Sequence, residues 1–331
     1  MKRCSIAVLA VVLLLLPFVM TACRSSSFSE TSRTGFALDT VVSITLYDAV
    51  EGTDGEAVLN ACFSEIRRLE NLLSVTIPDS DISRINAANG ASVEVAAETA
   101  ELLELSLQYA RLSEGAFDIT LRPVTVLWDF SADVPSLPDE VALTAAVATV
   151  DYRHLAVSGN VVTLSEGALD LGGIAKGYIA DRVRDLLLQR GVSSALIDLG
   201  GNIVVVGSKQ GKAWRIGVKD PMNTEELCAV VEGEEMSVVT SGVYERGFTL
   251  DGVRYHHLLS PQTGMPVQNG LASVTIVCKN SVEADALSTA CFVLGETKAV
   301  SLIENLEGVE ALFIRHDGTV HATEGLSYTL Q

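Results

Sequence analysis

The second half of this sequence is a succession of short apolar segments separated by turns, and this pattern constrains the fold most. Such segments are typical of β-strands. Strands are predicted at about Ser194–Asp198, Ile203–Val206, Ala213–Val218, Leu227–Val231, Met236–Thr240, Tyr244–Leu250, Tyr255–Leu259, Leu271–Cys278, Ala311–Arg315 and Val320–Thr323. Helices are predicted among them at Ala175–Gln189, Val282–Leu294 and Thr297–Glu304. This arrangement predicts an α+β fold with a mainly antiparallel sheet flanked by helices.

The first half of the chain carries more helical patterns than strand patterns. Asp54–Leu73 has apolar residues at helical spacing, and Thr40–Tyr47 alternates as a strand does. Further elements are predicted at Ser80–Ala88, Val93–Val95, Ala97–Leu112, Thr120–Phe130, Asp139–Val147, His154–Val157 and Val161–Leu164. No linker rich in proline, glycine and serine follows residue 35, so residues 35–331 are predicted to form one domain.

Residues 1–22 have the features of a bacterial lipoprotein signal peptide. Lys2 and Arg3 precede an apolar run, Ile6–Met20, that is too short to span a membrane comfortably. The small residues before Cys23 resemble a lipobox, so we expect cleavage before Cys23 and lipidation of its thiol. An ordinary cleaved signal with a chance cysteine is the alternative. Residues 23–34, rich in serine, are expected to be a flexible tether.

The formal net charge of −19 limits the ligands that this protein can bind. Sequence-independent binding of nucleic acid needs a basic surface, so nucleic acid is not an expected partner. An acidic protein also repels a phosphate-containing ligand, and a bound divalent cation is the usual solution.

Four cysteines remain after Cys4 in the signal peptide and Cys23 at the lipidation site are set aside: Cys62, Cys228, Cys278 and Cys291. None has the spacing of a zinc site, and all lie in apolar surroundings. We predict buried free thiols, with disulfides of an exported protein as the alternative.

The strongest candidate site is the block Asp170–Asp181, which places two glycines and Lys176 at the start of a predicted helix. Gly172 and Gly173 allow close approach of the backbone to a ligand, and free N–H groups of a helix start favour an anion. Lys176 in the first turn opposes the helix dipole, which contact with a phosphate would explain. A glycine turn with a solvated lysine is the alternative. Asp-Leu-Gly-Gly recurs at Asp198, which hints at two similar corners.

A second candidate site lies on the predicted helix Val282–Leu294. Asp285 and Thr289 are four residues apart, so both lie on one helix face, and Ser288 adds a further oxygen. Oxygen ligands suit Mg²⁺, with Ca²⁺ as the alternative ion. An exposed polar helix face is the other interpretation.

Two adjacent histidines, His256 and His257, precede a proline- and glycine-containing turn. Adjacent strand residues point to opposite sides, so one histidine at most is expected to face a site. A neutral histidine there could act as a general base, and a structural histidine is the alternative. Dinucleotide-binding glycine motifs, phosphate-binding P-loops and Ser-His-Asp hydrolase signatures are absent from the sequence.

In combination, these motifs resemble the ApbE family of bacterial FAD:protein FMN transferases over roughly residues 35–325. The matching motifs occur in order: Ser80–Asn86, Gly115–Pro123 with Trp128, Asp170–Gly177, Leu199–Asn202, Thr240–Gly242, His257–Gly264, and Ala284–Ala286 with Thr289.

The resemblance implies a single T-fold-like domain that cleaves FAD with Mg²⁺ and transfers FMN to a threonine or serine of an acceptor protein. The product is a phosphoester, and AMP leaves. Family members are commonly exported lipoproteins, which implies a lipid anchor at the periplasmic face of the inner membrane. The implied acceptors are subunits of ion-pumping NADH or ferredoxin oxidoreductases.

The resemblance also assigns roles to individual residues. Asp285 and Thr289 would hold the metal with the backbone carbonyl of Gly173, and Ser288 lies beside them. His257 would be the base that activates the acceptor hydroxyl. The FAD site would be lined by Lys176, Asp170, Leu38, Ala116, Phe117, Asp118 and Leu259.

Three departures from the family pattern bear on function. Ser260 replaces an aspartate, and Leu38-Asp39-Thr40 replaces a Met-Gly-Thr pattern. Thr76 stands where many members carry a tyrosine that packs on the flavin, so weaker retention of FAD is expected.

Some spirochaete-type relatives also hydrolyse FAD to FMN and AMP. A periplasmic FAD pyrophosphatase and a non-catalytic flavin-binding lipoprotein are therefore the alternatives to the transferase.

Overall fold

The computed structural model describes residues 29–130, 132 and 134–331, so the predicted signal peptide, Cys23 and most of the predicted tether lie outside the described residues. The strands are β1 (Thr31–Ala37), β2 (Thr40–Ala49), β3 (Val93–Glu94), β4 (Leu155–Ser158), β5 (Val161–Leu164), β6 (Val192–Leu199), β7 (Asn202–Val206), β8 (Trp214–Lys219), β9 (Leu227–Gly233), β10 (Ser237–Gly242), β11 (Gly247–Leu250), β12 (Val253–His256), β13 (Leu271–Cys278), β14 (Glu310–Arg315), β15 (Val320–Ala322) and β16 (Tyr328–Leu330). The helices are α1 (Gly55–Leu73), α2 (Asp81–Ala87), α3 (Ala97–Leu112), α4 (Arg122–Thr125), α5 (Glu140–Val147), α6 (Ala175–Gln189), α7 (Ser281–Leu294) and α8 (Glu296–Ile303).

An eight-stranded sheet with the order β1-β2-β6-β7-β10-β13-β14-β15 forms the centre of the fold. Its paired strands are all antiparallel, which confirms the predicted α+β class. Smaller sheets have the orders β16-β9-β8, β3-β5-β4 and β11-β12. Tight turns join the neighbours β1–β2, β6–β7 and β14–β15, whereas long excursions of the chain separate the other neighbouring strands.

The first strand extends into the segment that we predicted to be a tether. β1 begins at Thr31 and pairs with β2 from Thr31↔Leu46 to Ala37↔Thr40. Residues 31–34 are therefore part of the sheet. On this edge strand Thr31 and Arg33 are half-buried, whereas Ser32 and Thr34 are exposed. Such polar residues at alternating positions give no clear strand signal.

Helices cover one face of the main sheet and bury the larger of its two cores. Leu59, Phe63, Ile66, Leu69 and Leu73 of α1 are all buried, which confirms the predicted helical periodicity. These residues join side chains of α6, α7 and the central strands in one continuous cluster. Burial of apolar area on this scale is the main source of stability for the scaffold that holds the site.

The opposite face of the main sheet packs on the sheet β16-β9-β8. Trp214 and Ile216 of β8 and Val231 of β9 join Val238 and Leu312 of the main sheet in a second apolar cluster. The indole N–H of Trp214 donates to the carbonyl oxygen of Gly207 at 2.9 Å, so its polar atom is satisfied inside the cluster. The central strands are consequently buried on both faces.

The predicted helix Thr120–Phe130 is wrong for most of its length, because only Arg122–Thr125 is helical. Pro123 fits the first turn of a helix, where no N–H is required. Beyond it, Trp128 packs in a third cluster with Phe248 and Leu259, and its indole N–H donates to the Gly264 carbonyl oxygen at 2.9 Å. These distant contacts outweigh the local helical preference.

The four cysteines of the domain are free thiols, and all lie within the described residues. Cys62, Cys278 and Cys291 are buried, and Cys228 is half-buried. This confirms free thiols and, for three of the four, burial. Within the described residues, none of the helices has the length and apolar character needed to cross a membrane.

Candidate active site

The candidate site is built where α6 and α7 touch. A Cβ atom at Gly177 would overlap the carbonyl oxygen of Ser281 and lie 2.7 Å from the Cβ of Asp285. Only glycine permits this contact between the two helix backbones. The helices also cap each other, since Asp285 Oδ2 accepts from the Gly177 N–H at 2.8 Å and Asp181 accepts from the N–H groups of Ser281 and Val282 at 2.9 Å each.

This capping uses some of the N–H groups that we expected to be free for an anion at the start of α6, and binding of an anion there stays a prediction. The Ala175 N–H donates to the Leu171 carbonyl oxygen, and the Gly177 N–H is taken by Asp285. A protein carboxylate therefore already uses part of the favourable end of the helix dipole. The first turn of α6 positions Asp285 instead of offering all its donors to a ligand.

Lys176 lies over the same carboxylate and is not simply a solvated lysine. Its Nζ is 4.0 Å from Asp285 Oδ1 and 3.4 Å from the carbonyl oxygen of Gly172. The Asp285 side chain is only 5% exposed, whereas that of Lys176 is 28% exposed. Asp285 thus has one oxygen held by backbone and one facing a cation that is open to solvent.

Three hydroxyl groups, those of Ser241, Ser288 and Thr289, lie close to one another beside the backbone of Asp285. Ser288 donates to the Asp285 carbonyl oxygen at 2.9 Å and lies 2.8 Å from Ser241 at the end of β10. Ser241 Oγ is also 3.4 Å from Thr289 Oγ1. Because the Ser288 hydrogen is used on Asp285, Ser241 supplies the hydrogen between the two serines.

Gly173 lies directly against this hydroxyl group. A Cβ atom there would lie 3.3 Å from both Thr289 Oγ1 and Phe117 Cε2. Gly172 and Gly173 do not adopt positive φ, so close packing, and not a special backbone conformation, is the reason for glycine at position 173. At the second Asp-Leu-Gly-Gly, Gly200 and Gly201 do have positive φ and form the turn between β6 and β7. The two corners therefore differ.

The oxygen atoms around Asp285 fit a hard divalent cation. Thr289 lies against Gly173, Ser241 contacts both Ser288 and Thr289, and these groups surround the stretch of α7 that carries Asp285. Among residues 29–130, 132 and 134–331, no cluster of three or more histidine, cysteine, aspartate or glutamate side chains could hold a metal. A site with one carboxylate, hydroxyls and carbonyls suits Mg²⁺, which retains waters and binds substrate phosphates.

The aspartates of the neighbouring loop are held by their own surroundings. Asp170 accepts from the Gly172 N–H at 2.9 Å and lies 3.4 Å from Arg122 Nη1 and 3.3 Å from Thr125 Oγ1. The Asp118 carboxylate accepts from Thr120 and from the Tyr152 N–H at 2.8 Å. Burial raises the pKa of Asp118, opposed by these hydrogen bonds. The roles of Asp170 and Asp118 toward FAD stay predictions.

The two adjacent histidines occupy different environments, as the strand pattern predicts. His256 is buried, with Nε2 3.1 Å from the Val267 carbonyl oxygen and its ring edge-on to Phe292. His257 is half-buried, with Nδ1 3.4 Å from the Arg246 carbonyl oxygen and Nε2 3.9 Å from Glu245 Oε2. Burial lowers the pKa of each to about 4, so each is neutral near pH 7.

The remaining predicted contacts with FAD lie on separate loops. Leu38 is half-buried in the tight β1–β2 turn, with φ +55, and its N–H donates to Glu70 Oε1 at 2.7 Å. Ala116 and Phe117 lie between α3 and α4, and Phe117 is buried against Gly173.

Thr76 is exposed after α1, with its hydroxyl 2.9 Å from that of Ser74. The Leu259 side chain is buried with Trp128, so it presents little surface to a ligand. Their roles toward FAD stay predictions.

Two residues of the site were given no individual role in the sequence analysis. Ser241 contacts Ser288 and Thr289, and Glu245 lies between His257 and the charges of Lys176 and Asp285. Both belong to the polar segment Thr240–Arg246, which alone looks like an ordinary turn. The available signal was a run of polar groups directly after an apolar strand.

Comparisons with known proteins find similar proteins over most of the chain. The sequence model of the ApbE family matches residues 38–313. The FAD:protein FMN transferase of Treponema pallidum is 38% identical over 317 residues, covering 90% of this chain and 88% of the relative. One FAD:protein FMN transferase of Klebsiella pneumoniae is 36% identical over 265 residues, covering 78% of this chain and 82% of the relative.

Solved structures show the same architecture. The ApbE protein of Thermotoga maritima superposes with a TM-score of 0.83 at 33% identity, covering 89% of this chain and 97% of that structure. The apo flavinyl transferase ApbE of Pseudomonas stutzeri gives a TM-score of 0.80 at 32% identity, with coverages of 89% and 95%.

Proposed function

Because this chain belongs to the ApbE family, we propose that it is an FAD:protein FMN transferase that depends on Mg²⁺. It cleaves the pyrophosphate of FAD, joins FMN through a phosphoester to a threonine or serine of an acceptor protein, and releases AMP. FAD and the acceptor protein are its two substrates.

One observation carries this proposal, namely that a hard-cation site and a neutral histidine share one surface. Glu245 connects them, since its carboxyl interacts electrostatically with Lys176 and Asp285 and lies 3.9 Å from His257 Nε2. A transfer of a phosphoryl-type group needs mainly positioning and charge neutralisation, together with a base for the attacking hydroxyl. A flavin carrier without catalysis would need neither group.

Each residue has a defined part in this reaction. Asp285, Thr289 and the Gly173 carbonyl, with Ser288 and Ser241 beside them, would hold the metal. Bound Mg²⁺ supplies charge neutralisation and polarisation of the pyrophosphate. Lys176 adds a solvent-facing positive charge at the same place. These cations explain how a chain of net charge −19 would bind an anionic substrate.

His257 acts on the second substrate. Its pKa of about 4, lowered mainly by burial, leaves Nε2 unprotonated at neutral pH. Nε2 can therefore accept the hydrogen of the threonine or serine hydroxyl as that oxygen attacks phosphorus.

We further propose that the protein works outside the cytoplasm. The sequence motif at Cys23 supports a lipid anchor, which would place the domain at the periplasmic face of the inner membrane. The acceptors would then be exported redox proteins, such as subunits of ion-pumping NADH or ferredoxin oxidoreductases.

The deciding experiment follows FAD by chromatography. The protein from Arg24 onward is incubated with FAD, in Mg²⁺ or EDTA, with and without a threonine-bearing acceptor domain. With the acceptor present, we expect FMN on the acceptor and free AMP in Mg²⁺ but not in EDTA. The Thr289→Ala variant should form neither product. Intact FAD in every sample would refute an enzymatic function and leave a flavin carrier.

Hydrolysis of FAD to FMN and AMP is a second candidate activity of the same site. Thr76 is exposed, and its hydroxyl interacts with Ser74 on its own loop. A small residue there leaves less surface to retain a flavin. Thr76→Tyr should increase retention of FAD and decrease the release of free FMN.

Thr144→Tyr, at an exposed position on α5, is the matched control for Thr76→Tyr. If Thr76→Tyr changed neither retention nor hydrolysis, this role for Thr76 would be wrong.

A further inference from the structure

Glu245 is a charged residue at the candidate site without an assigned role. It follows β10, and its Oε2 lies 3.9 Å from His257 Nε2. Its side chain is 40% exposed, so it can face a substrate. Partial burial, together with the charge of Asp285, raises the pKa of its carboxyl. The charges of Lys176, Arg246 and Lys219 oppose this rise.

The contacts of His257 define which nitrogen receives a proton. Nδ1 lies 3.4 Å from the carbonyl oxygen of Arg246, and a carbonyl can only accept a hydrogen bond. The hydrogen of neutral His257 is therefore on Nδ1, and the lone pair is on Nε2. Nε2 is also the nitrogen that faces Glu245.

Protonation of Nε2 creates a positive charge in a place that disfavours it. Burial, together with the charges of His256, Arg246 and Lys176, lowers the His257 pKa to about 4. A nearby carboxylate offsets this cost, as a third group does in other pairs of nucleophile and base.

We propose that Glu245 is a positioning residue for the transfer, stabilising His257 in the protonated form that arises when the acceptor hydroxyl is activated. This inference rests on the proposed function. In the step concerned, the O–H bond of the acceptor breaks and its hydrogen moves to Nε2. The hydroxyl oxygen bonds to the FMN phosphorus, the bond from that phosphorus to the bridging oxygen breaks, and AMP leaves with that oxygen. His257 then releases the proton to water.

Glu245→Gln tests the proposal because it keeps the shape and removes the charge. With FAD, Mg²⁺ and the acceptor domain, kcat should fall about 10- to 100-fold. KM for FAD should change less than about twofold, because Glu245 acts on the base and not on FAD binding. Glu245→Asp should recover part of kcat, and Glu234→Gln, on the exposed turn before β10, should match the wild type.

A double-mutant cycle separates action through His257 from any other action. In a His257→Gln background, Glu245→Gln should cause no further loss in single-turnover rate. The same factor lost in both backgrounds would mean that Glu245 acts on the metal site or on FAD, and would overturn the proposal.

Titration of the histidine ring signals gives a second readout that needs no activity. The chain has five histidines, so assignment by substitution is practical. Removing the Glu245 charge, 3.9 Å from His257 Nε2, should lower the His257 pKa, although solvent around this partly exposed pair reduces the change. Arg246, His256 and Lys176 also face His257, and Asp285, Lys176, Lys219 and Arg246 face Glu245, so Glu234→Gln provides the baseline. An unchanged His257 pKa would refute the proposal.

The two proposals fail in different ways. A wild-type protein that leaves FAD intact would refute the transferase itself. An active wild type with a fully active Glu245→Gln variant would refute only the role of Glu245.

Discussion

Asp285 Oδ2 accepts a hydrogen bond of 2.8 Å from the backbone N–H of Gly177, so the charged group of the candidate metal site also joins α7 to α6. Its other oxygen faces Lys176 at 4.0 Å. The absence of a side chain at Gly177 allows this arrangement, because any Cβ would overlap Ser281. Stability of the helix contact and chemistry of the site therefore depend on the same atoms.

Gly177→Ala should destabilise the protein and damage the site together. The new methyl group would force α6 and α7 apart, at a cost of about 3 kcal/mol in the free energy of unfolding. Denaturant unfolding measures this cost. Gly172→Ala is the control, since its Cβ would meet only Asp170 Oδ1, at 3.2 Å. Equal stabilities of the two variants would contradict the proposed importance of the helix contact.

Asp285→Asn should separate the two functions of this residue. Asparagine retains an oxygen that can accept from Gly177, so the fold should persist, whereas the charge that attracts a cation is lost. We expect Mg²⁺-dependent FAD cleavage to fall about 100-fold or more. Calorimetric titration with Mg²⁺ should show weaker binding. Asp198→Asn, whose side chain accepts from the Gly201 N–H in the β6–β7 turn, should bind Mg²⁺ as the wild type does.

The pH dependence of transfer should show an unusually acidic limb. His257 works as a base in its neutral form, and its pKa is lowered from 6.5 to about 4, chiefly by burial. At saturating Mg²⁺, kcat/KM should therefore stay level as pH falls from 7.5 to 5.5 and decline only toward pH 4. A decline with a midpoint near 6.5 would show that His257 titrates as an exposed histidine and would contradict this burial effect.

His256 should make the fold less stable in acid. Burial lowers its pKa from 6.5 to about 4, so between these values the unfolded chain binds a proton that the native chain does not. Stability is therefore complete above pH 6.5 and decreases as pH falls toward 4, by about 3 kcal/mol. Urea unfolding of His256→Gln should show a shallower dependence over this window.

His316→Gln, at an exposed position, is the comparison variant for the histidine effect. The His316 charge is the smallest of the causes that lower the His256 pKa, so this variant should keep most of the wild-type dependence. If the His256→Gln curve ran parallel to that of the wild type, His256 would not be the group responsible.

Long periodic elements and local caps could be predicted from the sequence, because neighbouring residues determine them. The helix Ala97–Leu112 begins and ends as predicted, and Ser80 caps α2 by accepting from the Ser83 N–H. The Thr120–Phe130 segment could not be predicted, since Trp128 is held by Gly264, far along the chain. For the same reason, no local pattern revealed that Glu245 lies beside His257.

The same distinction between local patterns and distant contacts applies to the residues of the candidate site. The pairing of Asp285 with Thr289 follows from helical spacing, whereas the hydrogen bond from Gly177 to Asp285 joins residues far apart in sequence. The N–H groups at the start of α6 looked available for an anion because the sequence does not show which carboxylate reaches them. Helical spacing was sufficient to identify the candidate oxygen ligands and the N–H groups at the helix start. Tertiary packing decides which partner each of these groups contacts.

The free, mostly buried cysteines have a consequence for how this protein matures. Burial raises the pKa values of Cys62 and Cys291 to about 12, so neither forms the thiolate that oxidants attack. Native structure requires no oxidative step, and the domain should fold equally well in a reducing or an oxidising compartment. Assembly of the catalytic unit is thus independent of the thiol–disulfide machinery that many exported proteins need.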